Sequence, residues 1–225
     1  KLTPIIHERL KNAAKAKKAK TRIGQKRLLT NGAIDRDHVI LIGASTGGTE
    51  AIRSLLESLP KEIPPILIVQ HIPEVFSKAF ADRLNSLMPF EVKEAVHEEL
   101  VTPNKVLVAP GGKQMGIKII GERIIIQITE DPMMNRHRPS VDYLFKSAYE
   151  QKLKNATAVV LTGMGSDGSK EIIKLKSIGV RTIAQDEATS VIYGMPKAAA
   201  ATGAIDFVLP LDQIGEKVMV LAEKK

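Results

Sequence analysis

From residue 38 onward, short runs of branched aliphatic residues recur along the chain, and between most of them the apolar positions change to a spacing of three and four. A short apolar run bounded by turn formers reads as a buried strand, and the wider spacing as a helix with one apolar face. Strands are expected at HVILIG (38–43), ILIVQ (66–70), EVKEAV (91–96), KVLVAP (105–110), AVVLT (158–162) and VRTIAQ (180–185). Helices are expected at TEAIRSLLESL, VFSKAFADRLNSL, SVDYLFKSAYEQKL, SKEIIKLKSIG, PKAAAAT and LDQIGEKVMVLA, with Pro196 as a first-turn proline. One segment breaks the alternation. In IKIIGERIIIQIT (117–129) two β-branched runs flank Gly121-Glu122 with no room for a helix, which predicts a β-hairpin. The pattern as a whole predicts an α/β fold: a doubly wound, mainly parallel β-sheet flanked by helices, with one hairpin. No repeat of solenoid period is present.

Open parallel sheets bind ligands beyond the carboxyl ends of their strands. Three such ends carry chemistry: GASTGG (43–48) after the first strand, Gln70-His71-Ile72-Pro73 after the second, and GMGSDG (163–168) after AVVLT. Two function classes compete for these loops. A dinucleotide fingerprint needs G-x-G-x-x-G and an acid closing the next strand. The first loop has Ser45 at the middle glycine and Gln70-His71 at the next strand end, so it fails on both counts. GMGSDG matches the glycine spacing and Asp186 follows its next strand, but Asp167 would set a carboxylate beside the bound phosphates. A P-loop is excluded, since no G-K-[ST] occurs.

The other class is a serine hydrolase. G-x-S-x-G, here Gly43 to Gly47, suits a sharp strand-to-helix turn that presents a serine hydroxyl. Ser45 would then be the nucleophile, His71 the base that takes its proton, and Asp167 the carboxylate that holds the imidazole in one tautomer. Each residue also has an inert reading: Ser45 as a helix cap, His71 as a hydrogen-bonded structural histidine, Asp167 as a cap for a helix starting at Ser169. Of the other histidines, His7 and His38 lie in or beside a basic arm, His97 in an acidic stretch and His137 in the loop NRHRPS. No HExxH or tight His/Asp cluster occurs, and neither a metal nor a cofactor is expected.

Composition narrows the partners. The net charge of +8 is concentrated: residues 1–36 hold 11 Lys+Arg against two acids, a net of +9, and the remainder is close to neutral at −1. With no aromatic residue interleaved for base stacking, the arm reads as a solvated linker, and no nucleic-acid partner is expected. At 225 residues and 44% hydrophobic the chain can bury a large core. The expected organisation is a linker arm over 1–36 and one catalytic domain over 37–225. There is no cysteine, which excludes disulfides and thiol catalysis. No apolar run approaches the ~20 residues that cross a bilayer, and the lysine-rich start lacks the apolar core of a signal peptide. A soluble, cytoplasmic protein without membrane insertion is the expectation.

Six blocks, VILIGASTGGTEAI, ILIVQHIP, VLVAPGG, HRPSVDYLF, AVVLTGMGSDG and TIAQDEATSVIYGMPKAA, together resemble the catalytic domain of the bacterial chemotaxis protein-glutamate methylesterases, the CheB family, from about 38 to about 215. The resemblance implies hydrolysis of glutamate γ-methyl esters on methyl-accepting chemotaxis receptors, with release of methanol, and deamidation of receptor glutamines. It places the family's serine, histidine and aspartate on Ser45, His71 and Asp167, and an oxyanion role around Met164. The amide of Thr46, after the nucleophile, is the second donor expected from geometry. The resemblance also implies a receiver domain upstream, phosphorylated by the chemotaxis histidine kinase, and a chain beginning at Lys1 is expected to be a fragment without it. Arg138 and Tyr193 lie on loops that could reach the cleft, where they would hold substrate; a salt bridge and a packed ring are the alternatives.

Overall fold

The computed structural model describes residues 33–224. Among the described residues nine strands and six helices follow in chain order: β1 Val39–Ala44, α1 Gly48–Glu57, β2 Ile66–Gln70, α2 Glu74–Asn85, β3 Glu91–Glu94, β4 Lys105–Val108, β5 Gln114–Ile120, β6 Arg123–Thr129, α3 Val141–Glu150, β7 Ala156–Val160, α4 Glu171–Ser177, β8 Arg181–Gln185, α5 Met195–Ala201, β9 Phe207–Leu209 and α6 Leu211–Leu221.

Seven strands form one sheet in the order β3-β4-β2-β1-β7-β8-β9, and every pairing is parallel. Parallel strands covered on both faces should be apolar throughout, and β1, β2 and β7 are buried at every position. Val39 and Leu41 join one core with Phe145 of α3, Ile172 of α4, Met195 of α5 and the hairpin residues Met115 and Ile126. Ile40 and Ile42 point the other way, into a core with Leu55 of α1, Leu84 of α2 and Val218 of α6. The chain therefore winds on both faces, as expected.

From β1 the sheet grows outward through β2, then returns across β1 to add β7, β8 and β9. The reversal lies between β1 and β7, so the crevice of such a fold opens between GASTGG and GMGSDG. The hairpin runs longer than its β-branched core, because Gln114 and Met115 already pair with Thr129 and Ile128. Its loop is Gly121-Glu122, with Gly121 at φ 62° as a two-residue turn demands of its first position. The free edge of β5 is not left open: the amides of Ile117 and Ile119 donate to Ser147 Oγ and Gln151 Oε1 on α3 and just beyond it.

Two features escape the sequence reading. β9 has three residues lodged between two helical patterns, too short to give a periodic signal. Residues 33–36 are fastened to the domain: Ile34 bridges Glu223, Asp35 N donates to Ala222 O at 2.7 Å, and Asn155 Nδ2 donates to Asp35 Oδ2. The rest of the expected arm, 1–32, lies outside the described residues. These contacts make a prediction about truncation. A chain beginning at residue 37 should melt a few degrees below one beginning at residue 33, since it lacks hydrogen bonds worth ~1 kcal/mol each. Equal melting curves for the two truncations would show that 33–36 contribute nothing.

Candidate active site

The loop after β1 folds tightly because of its glycines. Gly47 sits at φ 81° and is the N-cap of α1, with no side-chain cap on that helix. Ser45 is therefore not the capping residue, and its hydroxyl is left for other work. A Cβ on Gly43 would lie 2.3 Å from Val141 Cγ1, so the strand can reach its turn this close to α3 only as glycine. Ser45 N donates to Thr162 O at 3.0 Å, and Thr162 Oγ1 donates to Thr46 O, which ties the serine loop to the end of β7.

The register of β1 and β2 ends on Ala44 and Gln70. Ser45 and His71 are the next residues of two strands that run ~4.8 Å apart, and His71 N donates to Ala44 O at 3.0 Å. Gln70 Nε2 closes the junction by donating to the carbonyls of both Ser45 and His71. The fold thus brings Ser45, His71 and the GMGSDG loop to one place, at the switch point of the sheet.

His71 Nε2 lies 2.8 Å from Asp167 Oδ2, and the two side chains are only 8% and 1% exposed. Nδ1, the other ring nitrogen, is buried and has no partner among the described residues. A carboxylate can only accept, so the proton sits on Nε2, and Nδ1 carries the free lone pair.

Asp167 does not cap the helix that follows it: α4 starts at Glu171 with Lys170 as its N-cap. Its carboxylate instead faces the start of α3. Oδ2 accepts from Val141 N at 2.7 Å, and Oδ1 from Asp142 N at 3.2 Å, Ser140 Oγ at 2.8 Å and Asn135 Nδ2 at 2.7 Å. Burial works against this charge, but the hydrogen bonds from His71, Asn135 and Val141 outweigh it and hold the carboxyl below its ordinary range. A helix N-terminus adds in the same direction. Asp142, also buried, accepts from Glu171 N and Asn135 Nδ2, and its carboxyl is pushed up by burial and by the neighbouring charge of Asp167.

The amides of Thr46 and Met164 donate no hydrogen bond among the described residues. The Met164 side chain is 73% exposed, so it does not pack into the interior. Tyr193 pairs with Gly163 in an isolated parallel bridge, beside the GMG turn. Arg138 turns its guanidinium to the preceding loop, where Nη1 donates to the carbonyls of Glu130 and Asp131; its contacts are with carbonyls and not with a carboxylate. Among the described residues no group of three or more His, Asp or Glu is placed to hold a metal ion, and no helix is long and apolar enough to cross a membrane.

Three neighbours of the pair were not singled out from the sequence: Asn135, Ser140 and His137. The His137 ring stacks on His71 with centroids 3.6 Å apart and planes 12° from parallel. The available signal was the polar cluster N-R-H-R set in a loop just before a helix.

Gly163 carries a direct test of this packing. A Cβ there would stand 2.7 Å from Ser45 Cβ and 2.4 Å from Met195 Sδ. Gly163→Ala should displace Ser45 by a fraction of an ångström with the fold retained, and any reaction that uses Ser45 should slow by about 10-fold or more, because small misplacements at a reacting centre are costly. Parental turnover in a folded Gly163→Ala protein would show that Ser45 needs no such exact seat.

The comparisons with known proteins agree with this fold. The solved catalytic domain of the Thermotoga maritima CheB methylesterase is similar to the chain with a TM-score of 0.79 and 39% identity, covering 82% of this chain and 98% of that one. A protein-glutamate methylesterase/protein-glutamine glutaminase of Rhizobium johnstonii is 49% identical over 186 residues, and one of Shewanella denitrificans 47% over 189. These alignments cover 83% and 84% of this chain but 51% and 54% of the relatives, so the chain spans about half the length of the curated relatives it matches. The family model described as CheB methylesterase matches residues 40–218, from the strand that presents Ser45 to the last helix of the core, and the chain belongs to that family.

Proposed function

We propose that the chain hydrolyses glutamate γ-methyl esters on methyl-accepting chemotaxis receptors, and deamidates receptor glutamines by the same route, with Ser45, His71 and Asp167 as its catalytic residues. The observation that carries the reading is the His71–Asp167 pair, with Nε2 held at 2.8 Å and Nδ1 buried and unpartnered next to the Ser45 loop. Family membership and the names of the relatives support the choice of substrate.

The chemistry follows from the tautomer. His71 Nδ1 removes the proton of Ser45 Oγ as the oxygen attacks the γ-carbonyl carbon. The resulting imidazolium keeps its Nε2–H on Asp167, whose charge is already secured by its other donors. Negative charge builds on the carbonyl oxygen, for which the free amides of Thr46 and Met164 are the proposed donors. His71 then returns the proton to the departing methoxide, and methanol leaves. Water attacks the acyl-serine with His71 again as base and releases the glutamate carboxylate and Ser45. A glutamine follows the same path with ammonia as leaving group. Tyr193, beside the GMG turn, is the better placed of the two proposed substrate contacts, since the Arg138 guanidinium already serves loop carbonyls.

The proposed partners are the helical cytoplasmic region of the receptors and a receiver domain, phosphorylated by the chemotaxis histidine kinase, joined through the basic arm that precedes residue 33. The dinucleotide reading of GMGSDG loses ground, because the carboxylate of Asp167 takes the amides of Val141 and Asp142 at α3. Incubation of the full chain with membranes bearing methylated receptors should release methanol. No release above a heat-killed control, together with saturable dinucleotide binding, would reverse the choice.

A further inference from the structure

A hydrogen bond at one end of an imidazole fixes that end but not the plane of the ring. The Nδ1 lone pair lies in the ring plane, so a ring free to pivot about its Nε2 contact would aim that lone pair at Ser45 only part of the time. The structure contains a feature that removes the pivot. Met134 and His137 exchange both backbone hydrogen bonds, at 3.1 and 2.9 Å, around a two-residue turn at Asn135-Arg136. Both central residues have positive φ, 52° and 67°, the type I′ geometry. Asparagine tolerates that region, but arginine there is unfavourable and must be held by its surroundings.

The surroundings are visible. Gln114, fully buried in β5, donates from Nε2 to the carbonyls of Pro132 and His137 at 3.1 Å each, and accepts from Ser140 N at 2.9 Å. One buried side chain therefore clamps both ends of the loop. From the loop, His137 lies flat on His71, and a single Asn135 amide nitrogen donates to Asp167 Oδ1 at 2.7 Å and to Asp142 Oδ2 at 2.6 Å.

We propose that the Asn135-Arg136 turn is a positioning device for the His71–Asp167 pair: His137 sets the plane of the catalytic ring, and Asn135 locks the rotation of the carboxylate while separating it from the second buried acid, Asp142. The proposal rests on the reading of His71 and Asp167 as catalytic residues. His137 itself stays out of the proton transfer. Burial and the facing His71 lower its imidazole below the ordinary range, so the ring beside the forming imidazolium is neutral. Asn135 reaches both carboxylates with two hydrogens of one amide, a task neither serine nor alanine can perform.

The test is made on the full chain with histidine labelled in the ring nitrogens. The His71 Nε2 proton should give a downfield resonance that disappears in Asp167→Asn. His137→Phe, which keeps a flat ring, should retain the resonance and hold kcat within about threefold. His137→Ala should broaden it and lower kcat by about 10- to 100-fold with KM unchanged. Asn135→Ala should move the resonance upfield and lower kcat to a similar degree, with circular dichroism close to parental in both variants and a lower melting temperature in Asn135→Ala, which leaves two buried carboxylates without their shared donor. The device is refuted by a parental resonance and kcat in His137→Ala, or by His137→Phe as impaired as His137→Ala; a parental resonance in Asn135→Ala removes the carboxylate half. Should the unsubstituted chain release no methanol, the methylesterase reading fails, and the resonances still decide whether the turn fixes the pair.

Discussion

Ser45→Ala should keep the fold and abolish methanol release from methylated receptor membranes, by about 10⁴- to 10⁶-fold in turnover if this serine behaves like nucleophiles of other triads. The fold should survive because the hydroxyl has no structural duty in the loop. The turn is made by Gly47 in the left-handed region, α1 has no side-chain cap, and the backbone of Ser45 makes the bonds that anchor the segment, from its N–H to Thr162 O and to its carbonyl from Gly48 N and Gln70 Nε2. Loss of the oxygen removes only the proposed attacking atom. The measurement is methanol released per minute with equal amounts of folded protein. A variant that keeps more than a tenth of the activity would remove Ser45 from the mechanism.

Asp167→Asn should lower turnover by about 10⁴-fold with little change in substrate affinity, and it should also weaken the fold. The carboxylate is surrounded by donors: His71 and Val141 on one oxygen, Asn135, Ser140 and Asp142 on the other. An asparagine must turn its own NH₂ toward one of these groups. If it faces His71, the ring becomes an acceptor at Nε2, and Nδ1 gains the proton and ceases to be a base. On either side donors oppose donors in a buried site, Val141 N–H on one and Asn135, Ser140 and Asp142 on the other, at a cost of ~1–3 kcal/mol for each group left unpaired. The pH dependence has a definite sign. A carboxyl held below its unfolded value adds stability above the ordinary carboxylate range, ~3.9 for aspartate, and loses it as pH falls through the depressed folded value. Asp142, raised by burial, acts oppositely, since its ionisation opposes folding above the ordinary range. Acid unfolding of Asp167→Asn should accordingly show a shallower loss below about pH 4 than the parent. Parental kcat in a folded Asp167→Asn protein would show that the His71 tautomer needs no carboxylate.

Much of the architecture was written locally. The run VILIGA is apolar on both faces because β1 lies at the centre of a covered sheet, and its burial at every position follows from that place. The hairpin was legible because Gly121-Glu122 leaves two residues for a connection, and two residues between β-branched runs permit little else. Where elements are short or lack periodicity, local pattern fails. β9 has no period to show, and the bridge from Ile34 to Glu223 joins the two ends of the described chain.

The site divides in the same way. Ser45, His71 and the GMGSDG loop were found from sequence because each closes a buried strand, and a parallel sheet gathers its strand ends along one edge whatever the loops contain. That argument uses only periodicity and the handedness of the fold. The tertiary structure alone decided what each residue touches at that edge. The partner of Asp167 is His71, 96 residues away, and its remaining donors come from a loop and a helix start 25 to 32 residues away. A serine, a histidine and an aspartate at strand ends could equally have capped helices. The orientation of the imidazole, the freedom of Nδ1 and the stacking of His137 were fixed by packing between segments that share no local pattern, and hydrogen bonds of that range are set only when the chain is folded.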